Sequence, residues 1–166
     1  MLAIRLAKTV SVGAIALYMA LVVLNNVTDY WTNFVYVEGV LDIEQISPRS
    51  TIRWRAITSP LLHHAAFVSI IVTELLIALL TSAGVIAMSR ALKARAAQFQ
   101  QKKGKAVAGL AVGFLLYEGG FVAVAGEWFG MWQSSTYDAV PSAFRILATM
   151  LGVLIFVSLK DEELVE

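Results

Sequence analysis

Residues 59–88 decide the fold of this protein. Their sequence is SPLLHHAAFVSIIVTELLIALLTSAGVIAM, an apolar segment that is interrupted by two histidines and one glutamate. About 20 helical residues cross the roughly 30 Å hydrocarbon layer of a bilayer, and this segment is longer than that. Ser59 and Pro60 are typical of the N-cap and the first residue of a helix. The segment therefore predicts a transmembrane helix whose few polar residues are candidates for a site.

Three other segments of the chain have the same apolar character. The composition agrees, because 58% of the residues are hydrophobic, 15% are charged and the mean hydropathy is +0.73, far from the usage of soluble domains. Long continuous apolar segments favour helices over the short alternating strands of a membrane barrel. The sequence predicts one all-α integral membrane domain over residues 1–166, a bundle of four transmembrane helices at about residues 9–27, 61–88, 106–132 and 140–159.

Two connecting segments are long enough to have structure of their own. Residues 28–59 alternate aromatic and acidic positions, which predicts an outer loop with a short amphipathic helix or two over the mouth of the bundle. Residues 89–105 predict a basic cytoplasmic continuation of the second transmembrane helix that ends near Gly104. The six cations of this segment indicate contact with anionic lipid rather than with nucleic acid, since aromatic residues do not alternate with them.

The distribution of lysine and arginine predicts the orientation in the membrane. Nine of these residues lie on the side of the termini and of residues 89–105, and four lie on the other side. Cytoplasmic segments carry the excess of positive charge. The four tryptophans fall on the second side, at the level of the lipid headgroups: Trp31, Trp54, Trp128 and Trp132. We therefore expect a multi-pass membrane protein with both termini in the cytoplasm.

The third predicted helix carries a stripe of small residues. Gly109, Gly113, Gly120 and Glu127 follow one another at spacings of four, seven and seven residues, and at 100° per residue they share one face of an α-helix. Gly109 and Gly113 also form a small-xxx-small pair, which allows two helix backbones to approach closely. The stripe predicts a packing interface, either with a partner subunit or with a neighbouring helix of the same bundle.

Two carboxylates are predicted to lie within the membrane, Glu74 in the second helix and Glu118 in the third. Ionisable groups are costly there and are usually placed against a partner, a cavity or one another. Three interpretations remain open at this point. The two groups could form a proton or ion path together with Glu127, they could dock on a partner protein, or they could be protonated and bonded to Thr73, Tyr117 or the backbone.

Four polar residues are predicted to lie at the outer mouth of the bundle. Arg53 and Arg55 precede the N-terminus of the second helix, where free amides and the helix dipole favour an anion such as a phospholipid headgroup. His63 and His64 lie in the first two turns of that helix. His63 and Glu74 are eleven residues apart and share a face at a separation of about 16 Å, which is too far for a shared metal ion.

The histidines do not match a known metal or haem pattern. A bis-histidine haem needs ligands from two helices, whereas this chain has two neighbouring histidines and no third one, so that Met19 or Met131 would have to supply the second ligand. A zinc site made of His63, His64, Asp29 and Glu127 lacks a typical ligand spacing. We therefore predict no metal site and no cofactor, and expect phospholipid as the bound molecule.

Four stretches of the chain resemble a known family. They are RLAKT (5–9), NNVTDYWTNFVYVEGVLDIE (25–44), WRAITSPLLHHAAFVSIIVTE (54–74) and GEWFGMWQS (126–134). Together they are similar to a bacterial family of predicted small integral membrane proteins of unknown function. The resemblance implies a four-helix protein of the inner membrane of Gram-negative bacteria, and it implies no catalytic residue.

The residue types of the chain exclude several classes of function. The chain has no cysteine, which excludes disulfides and thiolate-bound metals. It offers no nucleophile with a base and no phosphate-binding glycine loop, so that we expect no enzymatic activity of its own. The leading hypothesis is an accessory or structural subunit that docks on a larger inner-membrane complex, of a respiratory or other energy-converting kind; its partners would be membrane lipids and a second membrane protein or further copies of the chain.

Two alternatives stay open. One is a small channel or transporter for protons, ions or a solute, although the chain lacks the inverted repeat typical of secondary transporters. The other is a haem- or quinone-binding electron-transfer subunit, for which His63, His64 and Arg55 are the candidate residues.

Overall fold

The architecture is a bundle of membrane-spanning helices. A computed structural model describes residues 2–163, and no strand occurs within that range. Four helical segments are long and apolar enough to cross a membrane: Leu2–Thr28, Pro60–Arg90, Ala96–Trp128 and Val140–Ser158. The predicted all-α fold with four transmembrane helices is confirmed.

The first three spans begin before the predicted apolar segments, and the third span is divided into several helices. The α-helices are α1 (Leu2–Thr28), α2 (Tyr30–Leu41), α3 (Pro60–Arg90), α4 (Ala96–Lys102), α5 (Gly104–Phe114) and α6 (Val140–Ser158). The third span is completed by a π-helix, π1 (Leu115–Trp128), and two short 3-10 helices occur at Ile52–Arg55 and Met131–Gln133. The segment 28–59 thus contains α2 and the first 3-10 helix.

Helix α4 departs from the sequence prediction for residues 89–105. That segment was predicted to prolong the second span, but α3 ends at Arg90 and α4 belongs to the third span. The physical reason is the burial of Phe99, which is fully enclosed in the core and so holds α4 against the bundle. Residues 91–95 alone form the turn between the second and third spans.

The third span changes its winding after Phe114. The 14 residues of π1 have π-helical winding, in which an N–H pairs with the carbonyl five residues earlier. The bond from the N–H of Phe129, directly after π1, to the Val124 oxygen (3.1 Å) has this spacing. Most π-helical segments are single turns inside α-helices. Because the π turn is wider than the α turn, the spacing of 100° per residue does not hold beyond α5.

Spans that are consecutive in the chain pack against each other. Helix α3 lies between α1 and α5, and α6 packs against α5 and π1. Each span contributes a side chain that is fully buried in the common core: Met19, Ile77, Leu110 and Met150. Helix α6 returns to α1 near the end of the bundle that contains Lys8, whose ammonium lies 5.8 Å from the Phe156 ring.

Cationic side chains hold that end of the bundle together, which we call the basic end (Arg5, Lys8 and Lys103). The Arg5 guanidinium donates hydrogen bonds to the carbonyls of Leu92 (3.1 Å) and Ala94 (2.6 Å). These carbonyls follow the C-terminus of α3, where the helix dipole favours a cation. These cations, which were predicted from the sequence to mark the orientation in the membrane, thus also hold the helices together at this end.

A buried ion cluster completes the basic end. The ammonium groups of Lys8 and Lys103 both donate to the Leu159 carbonyl, at 2.7 and 2.8 Å, just beyond the C-terminus of α6. Both also pair with the carboxylate of Asp161, Lys8 at 3.1 Å. All three side chains are at most 2% exposed. The cluster joins the start of α1, the start of α5 and the end of α6.

The opposite end carries the tryptophans Trp31, Trp54, Trp128 and Trp132, and we call it the aromatic end. Helix α2 follows α1 directly and packs along the first turns of α3, where the rings of Phe34 and His64 stack at 4.2 Å. A β-carbon added to Gly39 of α2 would lie 2.5 Å from the Tyr137 ring. Glycine at this position therefore allows α2 to approach the segment before α6 closely.

Candidate functional site

Three polar side chains meet inside the bundle. Glu74 of α3 is 2% exposed, and its carboxylate accepts a hydrogen bond of 2.7 Å from the Asn26 amide. The Tyr117 hydroxyl of π1 donates to the other carboxylate oxygen at 3.5 Å. Buried polar groups in a membrane are normally satisfied in this way. The three residues connect α1, α3 and π1.

The polar cluster forms the floor of a cleft. A cavity of about 490 Å³ is lined by residues of α1, α2, α3, π1 and α6, among them Tyr18, Asn26, Tyr36, Phe67, Glu74 and Tyr117. A second cavity of about 520 Å³ lies between α1 and α6 and shares Tyr18 and Ile146 with the first. The bundle is therefore closed at the basic end and open between α1 and α6 farther along.

The polar cluster makes a prediction about stability. We expect Asn26→Leu to lower the free energy of unfolding by about 0.6–2 kcal/mol, from the average of double-mutant cycles to the upper value for model peptides. Glu74→Leu should cost a similar amount, because it leaves the Asn26 amide without its partner.

A double-mutant cycle in detergent micelles checks this prediction. The double variant Asn26→Leu/Glu74→Leu should be less destabilised than the two single variants together, since the Asn26 amide and its carboxylate partner are removed at the same time. Strictly additive effects would show that the Asn26–Glu74 bond does not stabilise the bundle.

Glu118 has surroundings opposite to those of Glu74. It lies in π1, fifteen residues after Lys103 and ten before Trp128, and its side chain is exposed on the outside of the bundle. Its carboxylate makes no hydrogen bond or ion pair with any group of residues 2–163. A β-carbon on the neighbouring Gly119 would meet nothing within 4 Å. This part of π1 thus faces away from the chain's own helices.

The glycine stripe predicted for the third span is divided by the change of winding. In α5, a β-carbon on Gly109 would lie 2.9 Å from Thr81 of α3, and one on Gly113 would lie 2.5 Å from the Met150 sulfur of α6. These two glycines pack inside the bundle. In π1, Gly120 would meet only Leu116 of its own helix, at 3.7 Å, and Glu127 is exposed. One continuous face through all four residues is wrong, because π1 does not keep the α-helical spacing.

The two arginines predicted at the outer mouth bind backbone carbonyls. Arg53 donates to Ile43 at 3.3 Å. Arg55 donates to the Trp128 carbonyl at 3.0 Å, and its guanidinium lies 4.4 Å from the Trp128 ring. Both arginines fasten the aromatic end, and an anion site formed by their remaining N–H groups stays a prediction.

The two histidines are adjacent in the sequence but have different partners in the structure. The His64 ring nitrogen Nδ1 is 2.8 Å from the Tyr30 hydroxyl. His63 is 1% exposed, with Nδ1 3.6 Å from a Glu38 carboxylate oxygen and Nε2 3.4 Å from an Asp42 carboxylate oxygen. The one group of His, Asp and Glu within residues 2–163 that is close enough to hold a metal ion is this trio. The set of His63, His64, Asp29 and Glu127 is not brought together.

Comparison with known proteins places the chain in a family. A family model described as predicted small integral membrane protein (DUF2165) matches residues 4–160. The chain belongs to this family. No curated protein and no solved structure matches it.

The DUF2165 match includes the polar cluster, Glu118 and the His63 trio. Sequence reasoning missed Glu38 and Asp42 of this DUF2165 protein, although one signal was present. The two carboxylates are four residues apart, a spacing that places them on the same face of a helix. Their partner His63 lies more than twenty residues farther along the chain, a distance over which periodicity carries no information.

Proposed function

We propose that this DUF2165 protein is a non-catalytic subunit that docks, through π1, on another integral membrane protein. The observation that carries the proposal is the exposed carboxylate of Glu118. It lies well inside the span, since α5 alone separates π1 from the basic end by about 16 Å.

An exposed carboxylate at this depth is expensive in lipid. Placing an acidic side chain at the centre of a transmembrane helix costs about 2.5–3.5 kcal/mol on insertion scales, and such groups almost always face protein or water. Glu74 meets this requirement within the chain through Asn26 and Tyr117. Glu118 would meet it through a hydrogen-bond donor on a helix of the partner.

The use of the other buried polar groups supports a non-catalytic role. Arg5, Lys8, Lys103 and Asp161 close the basic end, and Glu74 joins three spans. These groups hold helices together through hydrogen bonds and ion pairs within the chain. The parts outside the spans are small, the largest being the segment 29–59.

The geometry gives less support to a channel or transporter and to a haem- or quinone-binding subunit. Glu74 faces the interior and Glu118 the outside of the bundle, so that the two do not line one path for ions. His63 and His64 have separate protein partners, so that the two rings are not placed as a pair of ligands for a haem or a quinone. A phospholipid chain suits the cleft between α1 and α6, whose rim carries Arg145.

The charge distribution supports one orientation in the membrane. We propose that the basic end faces the cytoplasm, so that both termini are cytoplasmic, and that the membrane is the inner membrane of a bacterium. The positive-inside rule supports this orientation.

Purification of variants from the native membrane tests the docking proposal. The tagged wild-type protein in mild detergent should retain a second membrane protein in stoichiometric amount, detected by mass spectrometry. Glu118→Leu should lose that protein while its own thermal unfolding is unchanged. Glu127→Leu is the matched control, because it makes the same change in π1 next to the headgroup region, and it should keep the partner. Wild-type protein without a companion, or equal retention by both variants, would contradict the proposal.

A further inference from the structure

The trio of Glu38, Asp42 and His63 at the aromatic end has an unusual arrangement of hydrogen-bonding atoms. The His63 Nε2 lies 2.5 Å from the Ile57 carbonyl oxygen. A carbonyl can only accept, so that Nε2 must carry a proton. Histidines that bind metal through one nitrogen almost always donate the other N–H in this way.

The other ring nitrogen is buried and unpaired. His63 Nδ1 and the Asp42 oxygen Oδ1 are both enclosed and have no hydrogen-bond partner in the described part of the chain. The nearest carboxylate oxygen to Nδ1 belongs to Glu38, at 3.6 Å. In neutral histidine with its proton on Nε2, Nδ1 is an acceptor. It faces the partly exposed Glu38 carboxylate, which is also an acceptor, so that a cation between the two atoms would satisfy both.

The distance indicates which cation fits. An N–H bond from an imidazolium to a carboxylate would bring the heavy atoms to about 2.7–2.9 Å. Two ligands of a tetrahedral zinc ion, each about 2.0–2.2 Å from the metal, lie about 3.4 Å apart. The observed 3.6 Å is close to the second value. The potential ligand atoms of the three residues lie within 4.8 Å of one another. The Asp42 oxygen Oδ1 lies 3.4 Å from Nε2, so that this side chain would turn toward Nδ1 to share the ion.

Charge gives an independent reason for a cation. Glu38 and Asp42 are four residues apart at the end of α2, a spacing at which like charges destabilise a helix. His63 lies 3.6 Å from the Glu38 carboxylate and 3.4 Å from that of Asp42, and its ring compensates their charge only as an imidazolium. A neutral imidazole leaves both negative charges uncompensated.

We propose that Glu38, Asp42 and His63 bind a divalent transition-metal ion, zinc by its ligand preferences. Imidazole and carboxylate oxygens are established zinc ligands, and imidazole disfavours magnesium and calcium. The ligands come from the end of α2 and the first turn of α3, so that the ion fixes α2 in place as a wall of the cleft. The site is independent of the docking proposed for Glu118.

Calorimetric titration with zinc chloride tests the proposal. The full chain is purified in detergent, freed of metal with a chelator and titrated at neutral pH. Wild type should bind one zinc ion per chain and unfold at a higher temperature in its presence. Asp42→Asn and Glu38→Gln should weaken binding by at least about 10-fold, the smaller loss known even for residues that only support a ligand.

His64 supplies the matched control. His64→Asn changes the neighbouring histidine, which lies outside the trio, and should keep the wild-type affinity, whereas His63→Asn should lose it. If His63→Asn fails to fold, the isosteric Asp42→Asn variant decides the question. Failure of the wild type to bind zinc, or equal affinity of wild type and Asp42→Asn, would overturn the proposal and leave His63 as an imidazolium between two carboxylates.

Discussion

Replacing Asp161 by leucine is expected to lower the free energy of unfolding by about 3–5 kcal/mol, the range for breaking a buried ion pair on one side. The side chains of Asp161, Lys8 and Lys103 are at most 2% exposed. Without the carboxylate, two ammonium groups stay enclosed, and their hydrogen-bond acceptors among residues 2–163 are the Leu159 carbonyl and the Gln100 side chain. Chemical unfolding in micelles, followed by circular dichroism, measures the effect.

Glu162→Leu is the control for this prediction. Glu162 is the next residue and its side chain is exposed, while its backbone carbonyl, which the variant keeps, accepts from Arg5. We expect a change within about 0.5 kcal/mol, as for ordinary surface substitutions. Adding Lys103→Met to Asp161→Leu should recover part of the loss, because a cation without a partner is removed. Equal stability of the Asp161 and Glu162 variants would refute a structural role for the buried ion cluster.

Gly84→Leu is expected to destabilise the bundle by about 3 kcal/mol, the upper part of the usual range for overpacking. Gly84 lies where α3 crosses α5, and a β-carbon there would lie 2.6 Å from the Ala106 backbone nitrogen and 2.8 Å from its α-carbon. A backbone cannot move aside as a flexible side chain can. The two helices would have to separate, although their contact is among the most extensive in the structure.

Gly152→Leu is the comparison for Gly84. Gly152 lies in α6, is exposed, and a β-carbon on it would meet nothing within 4 Å. Leucine is a better helix former than glycine, so that this variant should be as stable as wild type or slightly more stable. If both substitutions have the same effect in the same unfolding assay, glycine at position 84 is not needed for the close approach of α3 and α5.

The four spans could be predicted from the sequence because burial in lipid needs only length and apolar composition. The segment 61–88, for example, contains one charged residue and was placed to within two residues of α3. The π-helical winding of π1 could not be predicted. The sequence before and after Glu118 is largely apolar, so that no hydrophobic periodicity distinguishes a π-helix from an α-helix there.

The partners of polar residues were the least predictable part. Lys103 follows the basic pattern of an exposed cytoplasmic loop, yet it is buried because Asp161, 58 positions later, folds back on it. The interaction of Glu74 with Tyr117 was among the predicted alternatives, but its stronger bond to Asn26 was not. Such pairs depend on how the helices are arranged, which a single sequence does not encode locally.

Photo-cross-linking from π1 in native membranes tests the central claim, docking through this helix, most directly. A photoreactive amino acid at Ala123 is suitable because that side chain is exposed and the wide turn places residues five apart, such as 118 and 123, next to each other. The same probe at Leu17 on the exposed face of α1 serves as the control. Docking predicts one cross-linked membrane protein from position 123 that is absent from position 17 and is lost in the Glu118→Leu background. Cross-links to lipid alone, or the same products from both positions, would contradict it.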